Sequence, residues 1–317
     1  MAISSIPSYI SQSFFFVILI PAVRHEDGHV LSFESWAERG WCRLESMARS
    51  LAREDGFMIT IKVASNPTLT TDLGGLGKAP GKGIFSIEED RSKCGPVLAN
   101  LMWSKLHNLL FQEDFHNYRF LLNLQGHCFK GLQTDHFESL VPNFAAEIDP
   151  STDPHGFIVA KFLHENGFKS VQERDTAGWS PICYAVLRDD PFLIEALVRN
   201  NADVNDSNRR AKNEAQLPKG LPLLSLAGTY HSNQAMKALL LAKANVNAKD
   251  SFGGNALTAS IGMGNAEAVN ILCNANINPR VKMVPETGPF KIACGFANVP
   301  TMQAFMTRLP VTRTLTM

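Results

Sequence analysis

The chain has 317 residues, 45% hydrophobic and 19% charged. That length suits about two domains, and the composition is globular rather than disordered. Thirty basic residues balance thirty acidic ones, which removes the global electrostatic drive of a nucleic-acid binder or a membrane-surface protein.

The first element is the apolar run Phe14 to Ile20. It falls far short of the ~20 residues that span a bilayer. No Lys or Arg precedes it, so the charged start of a signal peptide is missing. The run reads as a strand buried on both faces, and the protein is expected in the cytoplasm. His25 to Phe33 reads as a polar loop. In it, His25-Glu26-Asp27-Gly28-His29 clusters two imidazoles and two carboxylates. With no further ligand at usable spacing, a solvated loop is expected there, and no metal. Ser35 to Arg53 predicts a helix, because Leu44, Met47, Ala48 and Leu51 recur at helical spacing. Met58 to Val63 reads as a second strand. Strand, helix and strand together predict a short parallel βαβ unit with a right-handed crossover. This opens an α/β module over residues 1–145.

Within that unit, Arg39-Gly40-Trp41-Cys42-Arg43-Leu44-Glu45 follows the first strand and opens the helix. The segment resembles the S-x-W-C-x-x-E stretch of Toll/interleukin-1-receptor-like (TIR) domains. Ser11 and Ser13, just before the strand, also suit that pattern. The resemblance implies that Trp41 and Cys42 anchor the helix and that Glu45 stands at the catalytic position of the NAD-cleaving members. A carboxylate there would stabilise an oxocarbenium-like ribosyl centre or hold ribose hydroxyls, in chemistry akin to glycoside cleavage. A complete domain of that family carries a strand, a helix, another strand and a glycine-containing loop ahead of this point. Here about ten residues precede the first strand, so the module resembles a truncated TIR-like domain. The plain reading of Glu45 is a solvated helix-face carboxylate paired with Arg49 at i+4.

Asp72 to Gly83 is rich in Gly and Lys but fails the phosphate-loop pattern. Leu76 and Asp72 stand where a leading glycine is required, and neither Lys is followed by Ser or Thr. A flexible loop is expected. Pro96 to Phe111 and His116 to Leu124 have helical rhythm. His127-Cys128 with His136 reads as packing and surface rather than a nucleophile pair. The six cysteines, at 42, 94, 128, 183, 273 and 294, form no C-x-x-C pair. They read as buried free thiols in a reducing compartment. Pro142 to Pro154 reads as a linker.

From there a unit recurs. Asp175 to Asn205 reads D-T-A-G-W-S-P-I-C-Y-A-V-L-R-D-D-P-F-L-I-E-A-L-V-R-N-N-A-D-V-N. It resembles the ankyrin repeat without a gap. Asp175 and Gly178 sit at the hairpin turn, Ser180-Pro181-Ile182 at the T-P-L position, and Ala202-Asp203-Val204-Asn205 closes the unit. Pro222-Leu223 opens the next, closed by Ala244-Asn245-Val246-Asn247. Asp250, Gly253 and Ala256-Leu257 open a third, closed by Ala275-Asn276-Ile277-Asn278, and Pro289-Phe290 opens a fourth. The openings lie 41, 34 and 33 residues apart, against the ~33-residue ankyrin period. Asp206 to Lys219 accounts for the excess as an enlarged finger loop. The predicted architecture is an all-α ankyrin-repeat solenoid over 153–309. It comprises a partial cap at 153–174 and repeats near 175–205, 217–247, 250–278 and 283–309. A stripe such as Leu193, Ile194, Leu197 and Val198 cannot be buried by one repeat, so stacking is required.

The resemblance implies docking on finger tips and on the concave face of first helices. By position that means Trp179, Tyr184, Arg188, Tyr230, His231, Phe252 and Met263. Trp179 leads, since Trp is enriched at binding hot spots; its alternative is packing against the neighbouring finger. The expected function is a non-enzymatic scaffold or adaptor for protein partners, without cofactor, nucleic acid or membrane. The alternatives are a TIR-like NAD-cleaving signalling enzyme and an amino-terminal module for self-association.

Overall fold

The computed structural model describes residues 9–10, 13–52, 57–63, 67–70, 76, 78–137, 140–145, 147–283, 288–296 and 299–308. The chain divides into two compact units: Met1–Leu140 with Lys212–Leu217, and Val141–Ala211 with Pro218–Met317. Of the expected loop at 72–83, residues 72–75 and 77 lie outside the described residues, as do 284–287, 297–298 and 309 of the expected fourth repeat. The described part of that loop is not the expected flexible one: Pro80–Lys82 forms a short 3-10 turn with Pro80 and Gly81 buried.

The first unit opens with strand β1 (Phe15–Leu19). It pairs in parallel with β4 (Phe57–Ile61), Phe15 opposite Phe57 and Leu19 opposite Ile61. Strand β5 (Pro67–Thr70) lies antiparallel on the far side of β4. The sheet is therefore mixed, in the order β1-β4-β5. This placement corrects the expected two-sided burial of Phe14 to Ile20. β1 is an edge strand, and alternate side chains point to opposite faces. Phe15, Val17 and Leu19 are 53%, 52% and 70% exposed, while Ile18 is buried.

The expected polar loop is instead a small hairpin, β2 (Val23–Arg24) with β3 (Val30–Leu31). The expected single helix is split into α1 (Phe33–Trp36) and α2 (Gly40–Ser50). The cause is distant in sequence: Arg39 is extended and bridges to Ile84, and Gly40 N donates to Ile84 O at 2.8 Å. A Cβ on Gly40 would stand 2.1 Å from the Phe85 ring, so a side chain there requires that ring to move.

Two longer helices follow, α3 (Asp90–Phe111) and α4 (Phe115–Cys128). α3 runs through Pro96 rather than starting there. Leu44, Met47, Leu98, Met102, Leu106, Phe120 and Leu124 form the core. The returning segment 212–217 completes this unit. Lys212 is buried, donates to Asn117 Oδ1, and lies 4.8 Å from the Phe120 ring centroid. A carbonyl oxygen and a ring face together replace the water that a buried ammonium loses.

The second unit begins with α5 (Pro154–Asn166), capped by Asp153 and ended by Gly167 in the left-handed region. Four helix pairs follow: α6 (Pro181–Arg188) with α7 (Pro191–Arg199), and α8 (Leu223–Thr229) with α9 (Asn233–Leu241). Then come α10 (Ala256–Gly262) with α11 (Ala266–Asn274), and α12 (Pro289–Phe296) with α13 (Val299–Arg308). Packing is layered. First helices meet first helices along α6, α8, α10 and α12, and second helices meet along α5, α7, α9, α11 and α13.

The local signals explain these elements. Pro181 and Pro191 stand in first turns, where no hydrogen bond is lost. Asp190, Asn255 and Asn265 cap α7, α10 and α11. Ala185 and Ala227 are fully buried on adjacent first helices. Asn201, Lys243 and Asn276 take positive φ at the same place in successive pairs. Asp175 Oδ1 accepts from Ala177 N and Trp179 N, and Asp250 Oδ1 accepts from Phe252 N and Gly254 N. A ladder links the closing turns: Asn245 N donates to Asn205 Oδ1 at 2.7 Å, and Asn278 N to Asn247 Oδ1 at 2.8 Å.

Gly253 has φ +81°, and an added Cβ would lie 2.9 Å from Lys282 O. Gly253→Ala is therefore expected to destabilise the protein by about 1–2 kcal/mol from the left-handed backbone alone. Urea unfolding measures this, and an unchanged midpoint would contradict the finger geometry.

Candidate functional site

The structure separates the seven residues expected to meet a partner. Trp179, Tyr184 and Tyr230 are buried, at 1%, 0% and 6% exposure. They are corrected from docking residues to core residues. Asp175 turns the finger so that the Trp179 ring folds under it, 5.3 Å from the Tyr184 ring. Tyr184 in turn faces Phe168 at 5.9 Å, and its hydroxyl donates to Asp175 Oδ2.

The other four reach the surface at two ends of the first helices. Arg188, His231 and Met263 stand at or just beyond carboxy-terminal ends, and Phe252 stands on the finger before α10. Phe252 is 53% and Met263 40% exposed. Arg188 is already engaged: its Nη1 donates to Glu165 Oε2 at 2.9 Å, and its guanidinium lies 5.8 Å from the Phe162 ring. The His231 ring reaches Met263 O at 3.2 Å. Phe252 and Met263 are thus the exposed apolar members, at opposite ends of the layer.

In the first unit, Glu45 lines an open cleft of about 480 Å³ with Tyr9, Ile10, Trp36 and the β1 residues Phe16 to Leu19. Burial pushes its carboxyl above the usual glutamate range, and the nearby charge of Arg39 offsets part of that rise. Arg49 is not its partner. That guanidinium is buried and donates to the carbonyls of Ile10 and Ser13, so the expected i+4 pair is corrected. Trp41 Nε1 donates weakly to Asp90 Oδ2 at 3.4 Å, and its ring meets Phe85 at 6.1 Å. The Cys42 thiol is buried and pushed up by that burial. Helix α2 thus packs through Trp41 and Cys42 and carries Glu45 into the cleft that Trp36 also lines.

The sign of the Glu45 effect follows from its direction. A carboxyl raised in the folded state binds its proton there more readily than in the unfolded chain. Stability is then lost as pH rises from the unfolded glutamate value, about 4.3, through the folded one. Glu45→Gln is expected to stabilise the protein at pH 7, with the gain disappearing near pH 4. Melting temperatures across that range measure it; a variant less stable at pH 7 would contradict the burial effect.

Asp27 accepts from His29 N, which holds its carboxyl down, and both imidazoles lie 3.0 Å from Asp27 Oδ1 in solvent. Among the described residues, no group of three or more His, Cys, Asp or Glu side chains is placed to hold a metal. The Cys128 thiol is buried and pushed up to about 12, far from a thiolate at neutral pH. No helix among the described residues is long and apolar enough to cross a membrane. The chain matches no protein-family model and no curated protein.

Proposed function

We propose that the second unit is an ankyrin-repeat stack and that the protein is a cytoplasmic, non-enzymatic scaffold or adaptor. The observation that carries this is the two-layered helix packing, tied along its closing turns by Asn205, Asn245, Asn247 and Asn278. A layer of this kind offers a continuous surface while each pair contacts only its neighbours. Exposed Phe252 and Met263 supply the apolar contacts that a protein partner needs. The test is capture of partners by the full chain against a Phe252→Ala, Met263→Ala double variant. Loss of specific proteins supports the reading, and an unchanged set of captured proteins contradicts it.

Among the described residues, β1 has no strand on its outer side, which supports self-association as part of the same role. Phe15, Val17 and Leu19 present an exposed apolar row, and unprotected edge strands pair readily with other chains. Val17→Lys is expected to shift sedimentation toward monomer.

The Glu45 cleft supports a second reading, a TIR-like NAD-cleaving enzyme with the repeats as its recognition region. A partly buried acid beside Trp36 suits general-acid or ribosyl-stabilising chemistry. NAD turnover by the wild type, abolished in Glu45→Gln, would favour it. Equal and negligible rates would remove it.

A further inference from the structure

The finger turns of the second unit carry a feature that the motifs did not flag. Arg209, Arg210, Lys219, Lys249, Arg280 and Lys282 are all exposed. Among the described residues, the ion pairs of this unit use other cations: Lys161, Arg174, Arg188, Arg199 and Lys237, with His155 in addition. Backbone contacts set the fingers that carry them side by side. Arg209 N donates to Gly178 O at 3.2 Å, and Ser251 N donates to Lys219 O at 3.1 Å. Gly253 packs against Lys282 O. Successive fingers are therefore neighbours, and each contributes cations.

Two acids of the same turns are engaged locally. Asp206 is buried and pairs with Arg174. Asp250 is half-buried and accepts from two backbone amides of its own turn. The ridge is thus positive inside a chain of zero net charge. Phe252 projects from the middle finger, 53% exposed.

We propose that this ridge binds an extended acidic segment of a protein partner, with one apolar side chain seated on Phe252. The proposal rests on the scaffold reading above and names its partner chemistry. Packed helices sit about 8–10 Å apart, so cations on neighbouring fingers recur at about that spacing. A partner segment in the left-handed polyproline II conformation turns once every three residues and advances about 3.1 Å per residue, so acidic residues at every third position share one face and meet successive fingers. A segment of about nine residues spans three fingers. A protein segment is favoured over a nucleic acid because the positive surface is local, the chain as a whole is neutral, and an exposed apolar ring interrupts the ridge.

The test uses the full chain and fluorescence anisotropy with a labelled 12-residue peptide carrying Glu at every third position and a central Leu. Controls are the same peptide with Lys in place of Glu, and an oligothymidylate of equal charge. The expected result is binding of the Glu peptide alone, weakened at least tenfold in Arg209→Glu/Lys219→Glu/Lys282→Glu. Phe252→Ala is expected to weaken it severalfold, as is raising salt from 50 to 300 mM. Arg210→Gln/Lys249→Gln, milder and less disruptive to folding, is expected to weaken it by an intermediate factor. Equal binding of the Glu and Lys peptides, or unchanged binding in the cation variants, would overturn the proposal. Tighter binding of the oligothymidylate would replace it with a nucleic-acid site. If the cation variants still capture the partners that the Phe252→Ala, Met263→Ala variant loses, the charge inference fails while the scaffold reading stands. If neither variant loses partners, both fail.

Discussion

Trp179→Ala is expected to lower the free energy of unfolding by about 3–5 kcal/mol, the range for removing a large aromatic side chain from a core. The ring is 1% exposed and packs on Tyr184, which is itself fully buried. Removing it leaves a void between the finger and the first helix that the rigid turn at Asp175 to Gly178 cannot collapse to fill. The loss is read from chemical denaturation followed by far-UV circular dichroism. A docking tryptophan on the surface would give a different outcome, with little change in stability and a loss of partner binding. A shift below about 0.5 kcal/mol, the usual ceiling for surface substitutions, would contradict the burial described above.

The second large effect is expected at Asp206. It is buried, and it accepts from Arg174 Nη2, from Ser180 Oγ and from Ser207 N. Removing one member of a buried ion pair strands the other, at a typical cost of about 3–5 kcal/mol. Arg174 keeps some access to water, at 23% exposure, so Asp206→Ala is expected near the lower end. Arg174 Nη1 also donates to Gly178 O and Ser207 O, so the variant loosens two adjacent fingers together. Hydrogen exchange is expected to rise at both 175–180 and 206–209. A rise confined to one of them would contradict the coupling.

The sequence predicted much of the helical half because its signals are local. Proline in first turns, Asp or Asn at caps and glycine in the finger turns each act within four residues. The first helices α6, α8, α10 and α12 therefore begin where the sequence places them. The failures come from contacts that the sequence cannot display. The Phe14 to Ile20 run is apolar on both faces, but two-sided burial requires neighbours, and β1 stands at the sheet edge. The break between α1 and α2 depends on Ile84 and Phe85, some forty residues away. Lys212 reads as a loop residue, yet its partners are Asn117 and Phe120.

The candidate site was legible only in part. Phe252 and Met263 are exposed, but the buried Trp179 shows how position in a sequence motif fails to fix the direction of a side chain. The basic ridge was readable in principle by summing charge finger by finger. The neutral total of the whole chain hides it.

The central claim is that the second unit is a partner-binding surface whose fingers make the contact. It is tested most directly by hydrogen exchange on the full chain, alone and with a captured partner bound. The account predicts new protection in the finger segments 209–211, 219–220, 249–253 and 280–283, with residues 13–61 unchanged. Protection that falls in 13–61 and spares those fingers would contradict it.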